Sequence, residues 1–63
     1  MEIVGVQFIK TENTKVYYYY TTQKHNIGDL VIIPTSSDGN GADGKVVETN
    51  VKKRFPFRLK ILD

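Results

Sequence analysis

The apolar residues of this chain fall in short segments that alternate with polar residues or run together briefly, and they do not follow the 3.6-residue period of a helix. Glu2 to Lys10 places Val4, Val6 and Phe8 on one side of an extended chain. Leu30 to Ile33 is a continuous apolar run of four residues, which is typical of a central strand. The pattern therefore predicts an all-β fold.

Polar or glycine-containing turns divide the chain into five predicted strands. The strands comprise residues 2–10, 15–21, 30–33, 45–51 and 55–63. Gly28 is expected to take a positive φ in the turn before the third strand, because glycine does so without steric cost. Five short strands in 63 residues can close into a small barrel, which removes exposed sheet edges. A single domain covering residues 1–63 is expected.

Three segments occur in a characteristic order around the tyrosine-rich second strand: VGVQF at residues 4–8, IGDLVIIPT at 27–35 and GKVVE at 44–48. Together they resemble the small SH3-like barrels found as short bacterial and phage-encoded proteins, many of which have no assigned function. A similar barrel motif opens the helicase of the replication-restart primosome. The resemblance covers nearly the whole chain and implies a five-stranded SH3-like barrel. It carries over no catalytic residue, and it fits a phage-type accessory or inhibitor protein.

Four consecutive tyrosines lie within the second predicted strand. Successive side chains of a strand point to opposite faces, so two of the four rings face away from the core. The spacing from Gly28, compared with similar barrels, favours Tyr17 and Tyr19 inside. Tyr18 and Tyr20 then stand outside. They either stabilise neighbouring strands or form a docking surface, since tyrosine is enriched in interface hot spots.

The segment 52–60 concentrates positive charge, because it holds five of the nine basic residues although the net charge is only +2. Together with the outer tyrosines, four of these residues are predicted to contact a partner: Lys52, Lys53, Arg54 and Arg58. Basic residues interleaved with aromatic ones suit a surface that tracks phosphates and stacks bases. The same charges also keep an outer strand face solvated, and Phe57 has the spacing of a core residue.

These features predict a non-enzymatic binding module. A protein partner is favoured, because the net charge is low and the outer tyrosine pair is compact. Nucleic acid, bound through the basic segment, is the alternative, and a homo-oligomer that pairs sheet edges is a third. The lack of cysteine favours a reducing compartment such as the cytoplasm. The N-terminus lacks a signal-peptide pattern, and no apolar stretch approaches the roughly 20 residues that cross a bilayer, so no membrane contact is expected.

Two glycine-rich motifs resemble ligand sites without meeting their requirements. Residues 39–46 match the first seven positions of a phosphate-binding P-loop, but the eighth is Val46 instead of Ser or Thr, and a strand follows where a helix is needed. Asp38 and Asn40 fit the first ligand positions of a calcium loop, but Ala42 breaks the pattern. We therefore expect no cofactor and no metal. The lone histidine, His25, is expected to be exposed and without a catalytic role.

Overall fold

The computed structural model describes residues 1–34 and 41–62, and four strands lie within these ranges. The strands are β1 (Glu2–Phe8), β2 (Tyr17–Thr21), β3 (Leu30–Ile33) and β4 (Ala42–Glu48). Their pairings are antiparallel, their order across the sheet is β2-β1-β4-β3, and the sheet curls into a half-barrel. The predicted all-β class is confirmed. Across the same ranges, no helix has the length and apolar character needed to cross a membrane.

The C-terminal segment, residues 51–62, differs from the predicted fifth strand. It makes an isolated parallel bridge to β2, in which Tyr20 N–H donates to the Lys60 carbonyl at 2.9 Å and Leu62 N–H donates to the Tyr20 carbonyl at 2.8 Å. The chain bends at Pro56, and proline has no N–H to give to a ladder. The segment therefore lies beside β2 without continuing the ladder, and the described residues hold four strands instead of five.

The glycine-rich stretch contributes to β4 more than the sequence predicts. β4 begins at Ala42, which pairs with Ile33 of β3, so this strand starts inside the P-loop-like motif and continues past Lys45, where a helix would be required. Residues 35–40 lie outside the described residues, and Asp38 and Asn40 of the calcium interpretation lie there too.

The core is small and consists of aliphatic side chains. Its buried members are Val4, Val6, Ile33, Val46, Leu59 and Leu62. Tyr17 and Tyr19 pair with Val6 and Val4 of β1 and pack against this core, as predicted. Burying each aliphatic side chain contributes roughly 1.5–3 kcal/mol. The C-terminal segment supplies Leu59 and Leu62, so it belongs to the core although it is hardly paired.

The turn before β3 is held by local hydrogen bonds. Gly28 has φ 98°, which confirms the prediction, and the Asp29 carboxylate accepts a hydrogen bond from Asn26 N–H at 2.8 Å. The expectation of an exposed His25 is wrong, because its side chain is only 12% exposed and lies 3.9 Å from the Asp29 carboxylate. Its Nε2 lies 3.2 Å from Oγ1 of the buried Thr21. His25 therefore ties the turn to the end of β2.

Candidate partner-binding groove

A groove of about 360 Å³ separates β2 from the C-terminal segment. Its lining residues are Lys15, Tyr17, Tyr18, Tyr19, Phe55, Phe57, Arg58, Leu59 and Lys60. The backbone of the C-terminal segment bonds to β2 at Tyr20, and between Tyr20 and Pro56 the described residues form no further backbone hydrogen bond across the groove. We call it the β2 groove.

The Tyr18 side chain is fixed by two hydrogen bonds. Its hydroxyl donates to Glu48 Oε2 at 3.0 Å and accepts from Lys53 Nζ at 3.0 Å. The hydrogen bond to Tyr18 raises the pKa of Lys53 above its ordinary value, and electrostatic interaction with Tyr18 and Glu48 adds to the rise. Lys53 therefore remains a cation at neutral pH beside an oriented tyrosine ring.

Two further aromatic rings continue from Tyr18 along the groove, so that three rings form a row. The Tyr18 and Phe55 ring centroids are 5.1 Å apart with the planes tilted by 45°, and those of Phe55 and Phe57 are 6.1 Å apart with a tilt of 49°. Such tilted arrangements are favourable for aromatic pairs. Phe57 is 63% exposed, so the expectation from its spacing that it enters the core is wrong. The row ends in a ring that solvent reaches.

The inner tyrosines form the other wall of the groove. The Tyr17 ring meets the Phe8 ring edge to face at 5.2 Å, and Lys15 Nζ lies 5.3 Å from the centroid of the Tyr17 ring. Burial raises the pKa of the Tyr19 phenol, and the neighbouring Tyr17 adds to the rise. The Tyr19 phenol therefore stays protonated and neutral at physiological pH.

Gly5 gives the Tyr18 ring its place on the outer face of the sheet. A Cβ at this position would lie 2.8 Å from Val16 Cγ1 and 3.2 Å from both Tyr18 Cε1 and Glu48 Cβ. The pairing of β1 with β4 also shifts register between Gly5 and Val6, as expected of a β-bulge near a glycine. The glycine lets Val16, Tyr18 and Glu48 converge over β1.

The C-terminal segment carries cations that no described acid neutralises. Within residues 1–34 and 41–62, four exposed side chains have no carboxylate at ion-pair distance: Lys52, Arg54, Arg58 and Lys60. By contrast, Lys10 pairs with Asp43 of β4 at 3.2 Å. Positive charge at the β2 groove is therefore available to a partner.

The structure brings together half of the residues that the sequence predicts for partner binding. Tyr18 and Arg58 line the β2 groove, and Lys53 contacts Tyr18. The other predicted residues do not line it: Tyr20, Lys52 and Arg54. Among the described residues no ring contact joins Tyr18 to Tyr20, so the compact tyrosine pair on which the preference for a protein partner was based is replaced by the pair of Tyr18 and Phe55.

Sequence reasoning misses Glu48 and undervalues the two phenylalanines. Glu48 reaches Tyr18 only through the register of β1 with its two neighbours, in which Gly5 lies opposite both residues. No sequence pattern near either residue predicts this contact. Phe55 and Phe57 are visible in the sequence as aromatic residues among basic ones, and that interleaving was the available signal.

Within the described residues, no three His, Cys, Asp or Glu side chains cluster closely enough to hold a metal.

Comparison of the chain with family models, with curated proteins and with solved structures finds no match. The resemblance to SH3-like barrels stays a prediction, and the function is inferred from the β2 groove.

Proposed function

We propose that this chain is a non-enzymatic binding module of the SH3-like barrel type that docks a protein partner in the β2 groove. The observation that carries the proposal is Phe57, which is 63% exposed at the end of a row of three rings. Exposed aromatic side chains in an apolar groove are what protein partners bury, and they often provide most of the binding energy. SH3 domains dock peptides along such aromatic grooves.

The charges around the groove favour an acidic partner. Lys15, Arg58 and Lys60 line it, and no described carboxylate lies at ion-pair distance from any of the three. Complementary charge at an interface speeds encounter and selects against partners of like charge. A protein segment with both apolar and acidic side chains therefore fits the groove, because the former would contact its aromatic rings and the latter would meet Lys15, Arg58 and Lys60.

Phe57→Ala tests this proposal. Partners are captured from nuclease-treated lysate, and the affinity of the captured protein is then measured for each variant. We expect Phe57→Ala to weaken binding by about 30-fold, corresponding to roughly 2 kcal/mol for a hot-spot residue. Ile61→Ala is the matched control, because Ile61 is 48% exposed in the same segment but does not line the groove. Equal affinity of the two variants and the wild type would contradict the proposal.

Single-stranded nucleic acid is the second candidate, favoured by the unpaired cations that flank the exposed Phe57 ring. Bases stack on exposed aromatic rings with about 1–3 kcal/mol each. Fluorescence anisotropy of a labelled single-stranded oligonucleotide separates the candidates. Nucleic-acid binding weakens steeply with salt, by about 0.7 in log–log slope per phosphate contact. Absence of binding at about 50 mM salt would remove this candidate.

A further inference from the structure

The backbone of Tyr18 points into the β2 groove. In an antiparallel pair, residues alternate between those that exchange hydrogen bonds with the partner strand and those that point away from it. Tyr20 points away from β1, because its N–H and C=O bond to Lys60 and Leu62. Tyr18 precedes Tyr20 by two residues in β2 and pairs in register with Gly5 of β1, so its N–H and C=O point in the same direction.

Among the described residues, these two backbone groups have no backbone hydrogen-bond partner in the C-terminal segment. Within the described residues, backbone hydrogen bonds from the C-terminal segment reach β2 at Tyr20 and not at Tyr18. The segment instead forms the opposite wall of the groove with the side chains of Phe55, Phe57 and Leu59. A strand edge with an open donor and an open acceptor is a template for another strand.

We infer that the β2 groove receives its partner as an added β-strand, an extended acidic peptide segment that hydrogen-bonds to Tyr18 N–H and C=O. This inference rests on the proposed function, because it states how a protein partner occupies the same groove. Strand addition obtains affinity from main-chain hydrogen bonds and specificity from alternate side chains.

The chemistry of the walls sets the sequence of the added strand. Successive side chains of a strand point to opposite sides, so one set faces the apolar floor near Tyr19 and Leu59. The other set faces Tyr18, Phe57 and the rim cation Arg58. The segment that fits therefore alternates apolar with acidic residues. Nucleic acid would stack on Phe57 without hydrogen-bonding to the Tyr18 backbone in this pattern, so the Tyr18 amide distinguishes the two occupants.

Amide hydrogen exchange provides the first test. The probe is a synthetic nine-residue peptide, selected from a displayed peptide library on the intact protein. In the free protein the Tyr20 amide, which bonds to the Lys60 carbonyl, serves as the protected reference, and the Tyr18 amide should exchange much faster. Saturating peptide should slow exchange at Tyr18 by about tenfold or more. A Tyr18 amide already as protected as Tyr20 in the free protein would overturn the inference, because the C-terminal segment would then cover the edge.

N-methylation of the peptide provides the second test and leaves the protein unchanged. Two versions carry N-methyl groups at alternate residues, one set at odd and the other at even positions. Because alternate residues of an added strand direct their N–H groups to β2, one version should lose about tenfold or more in affinity, and the other should stay within about twofold of the parent peptide. Equal affinity of the two versions would overturn strand addition.

The outcomes separate the inference from the proposed function. One outcome would contradict strand addition but not docking in the groove. In that outcome, peptides bind the wild type but not Phe57→Ala, the exchange rate of the Tyr18 amide stays unchanged, and the position of the N-methyl groups has no effect on affinity. A library that yields no binder, together with a lysate that yields no nuclease-resistant partner, would contradict both.

Discussion

Tyr18 uses each of its parts for a different contact. Its hydroxyl joins Glu48 and Lys53 at 3.0 Å each, its ring packs against Phe55 at 5.1 Å, and its backbone faces the β2 groove. Because the hydroxyl and the ring of Tyr18 are held in place, its backbone keeps one orientation toward the groove. This order lowers the entropic cost of binding a partner. At the scale of single residues, Tyr18 and the glycine beneath it therefore decide the geometry of the groove.

Gly5→Ala should displace the Tyr18 ring. The added Cβ would lie 2.8 Å from Val16 and 3.2 Å from Tyr18 and Glu48, so these side chains must move, and we expect a loss of about 1–3 kcal/mol in the free energy of unfolding. Urea denaturation measures the loss, and the NMR signals of the Tyr18 ring report the displacement.

Gly28→Ala is the control for this substitution. Gly28 has open space around its Cβ position but a φ of 98°, so alanine there costs roughly 1–2 kcal/mol through backbone strain alone. The Tyr18 ring signals should stay unchanged in Gly28→Ala. Unchanged Tyr18 signals in Gly5→Ala as well would contradict the assigned role of Gly5.

Among the elements, the C-terminal segment combines a core function with a surface function. Leu59 is 6% and Leu62 is 9% exposed, whereas Phe57 is 63% and Ile61 is 48% exposed. The buried leucines hold the segment against the half-barrel, and this attachment places the aromatic residues opposite β2. The groove therefore depends on packing more than on backbone pairing, since the segment's link to β2 is an isolated bridge.

Leu59→Ala should destabilise the whole domain. Truncating a buried leucine typically costs about 2–5 kcal/mol, which is a large part of the roughly 3–9 kcal/mol expected for a domain of this size. Ile61→Ala, at a half-exposed position of the same segment, should cost less than about 1 kcal/mol. Urea denaturation of both variants checks the difference. Equal losses would mean that the segment does not contribute to the core as described.

β3 is the element to which the homo-oligomer hypothesis applies. It lies at the end of the strand order, carries no charged residue, and exposes 75% of Leu30 and 59% of Ile32. An antiparallel β3 of a second copy, related by a two-fold axis at Val31, would place Leu30 opposite Ile32. In β4, Lys45 pairs with Leu30 and Asp43 pairs with Ile32. Each row of side chains across the two copies would therefore end in Lys45 on one side and in Asp43 on the other, so like charges would not share a row.

Sedimentation equilibrium tests this pairing. We expect the wild type to self-associate as its concentration rises, and Leu30→Lys to remain monomeric, because a charge on an edge strand blocks pairing with another edge. Ile27→Lys is the control, since Ile27 is 69% exposed but precedes the strand. A wild type that stays monomeric at the highest concentrations would contradict the pairing, and peptide binding at the β2 groove would be unaffected by that outcome.

At the scale of the whole molecule, both proposed interaction surfaces lie at the edges of a half-barrel. A closed barrel removes strand edges, but the described sheet ends at β3 on one side, and on the other its described backbone hydrogen bonds between β2 and the C-terminal segment are confined to Tyr20. The six buried aliphatic side chains among the described residues form a small core, and bound partners stabilise such a domain by mass action. The open edges and the modest core are therefore both consistent with the proposed binding function.

The sequence by itself determined the features that depend on local geometry. Side-chain alternation fixes which tyrosines share a face, and the spacing from Gly28, compared with similar barrels, favoured Tyr17 and Tyr19 as the inner pair. The conformational freedom of glycine likewise fixes the positive φ at Gly28. The boundaries of β3 and the all-β class followed from the short apolar segments. Each of these features is set by neighbours a few residues apart along the chain.

Only the tertiary structure decided which residues form the groove. Regular alternation predicted Phe57 as a core residue, but the chain bends at Pro56 and forms no extended ladder, so Phe57 lies outside and the segment buries Leu59 and Leu62. The contact between Glu48 and Tyr18 depends on a register shift beside Gly5. Such contacts join residues far apart in sequence. Competition among alternative packing arrangements selects them, so no sequence pattern within a single segment predicts them.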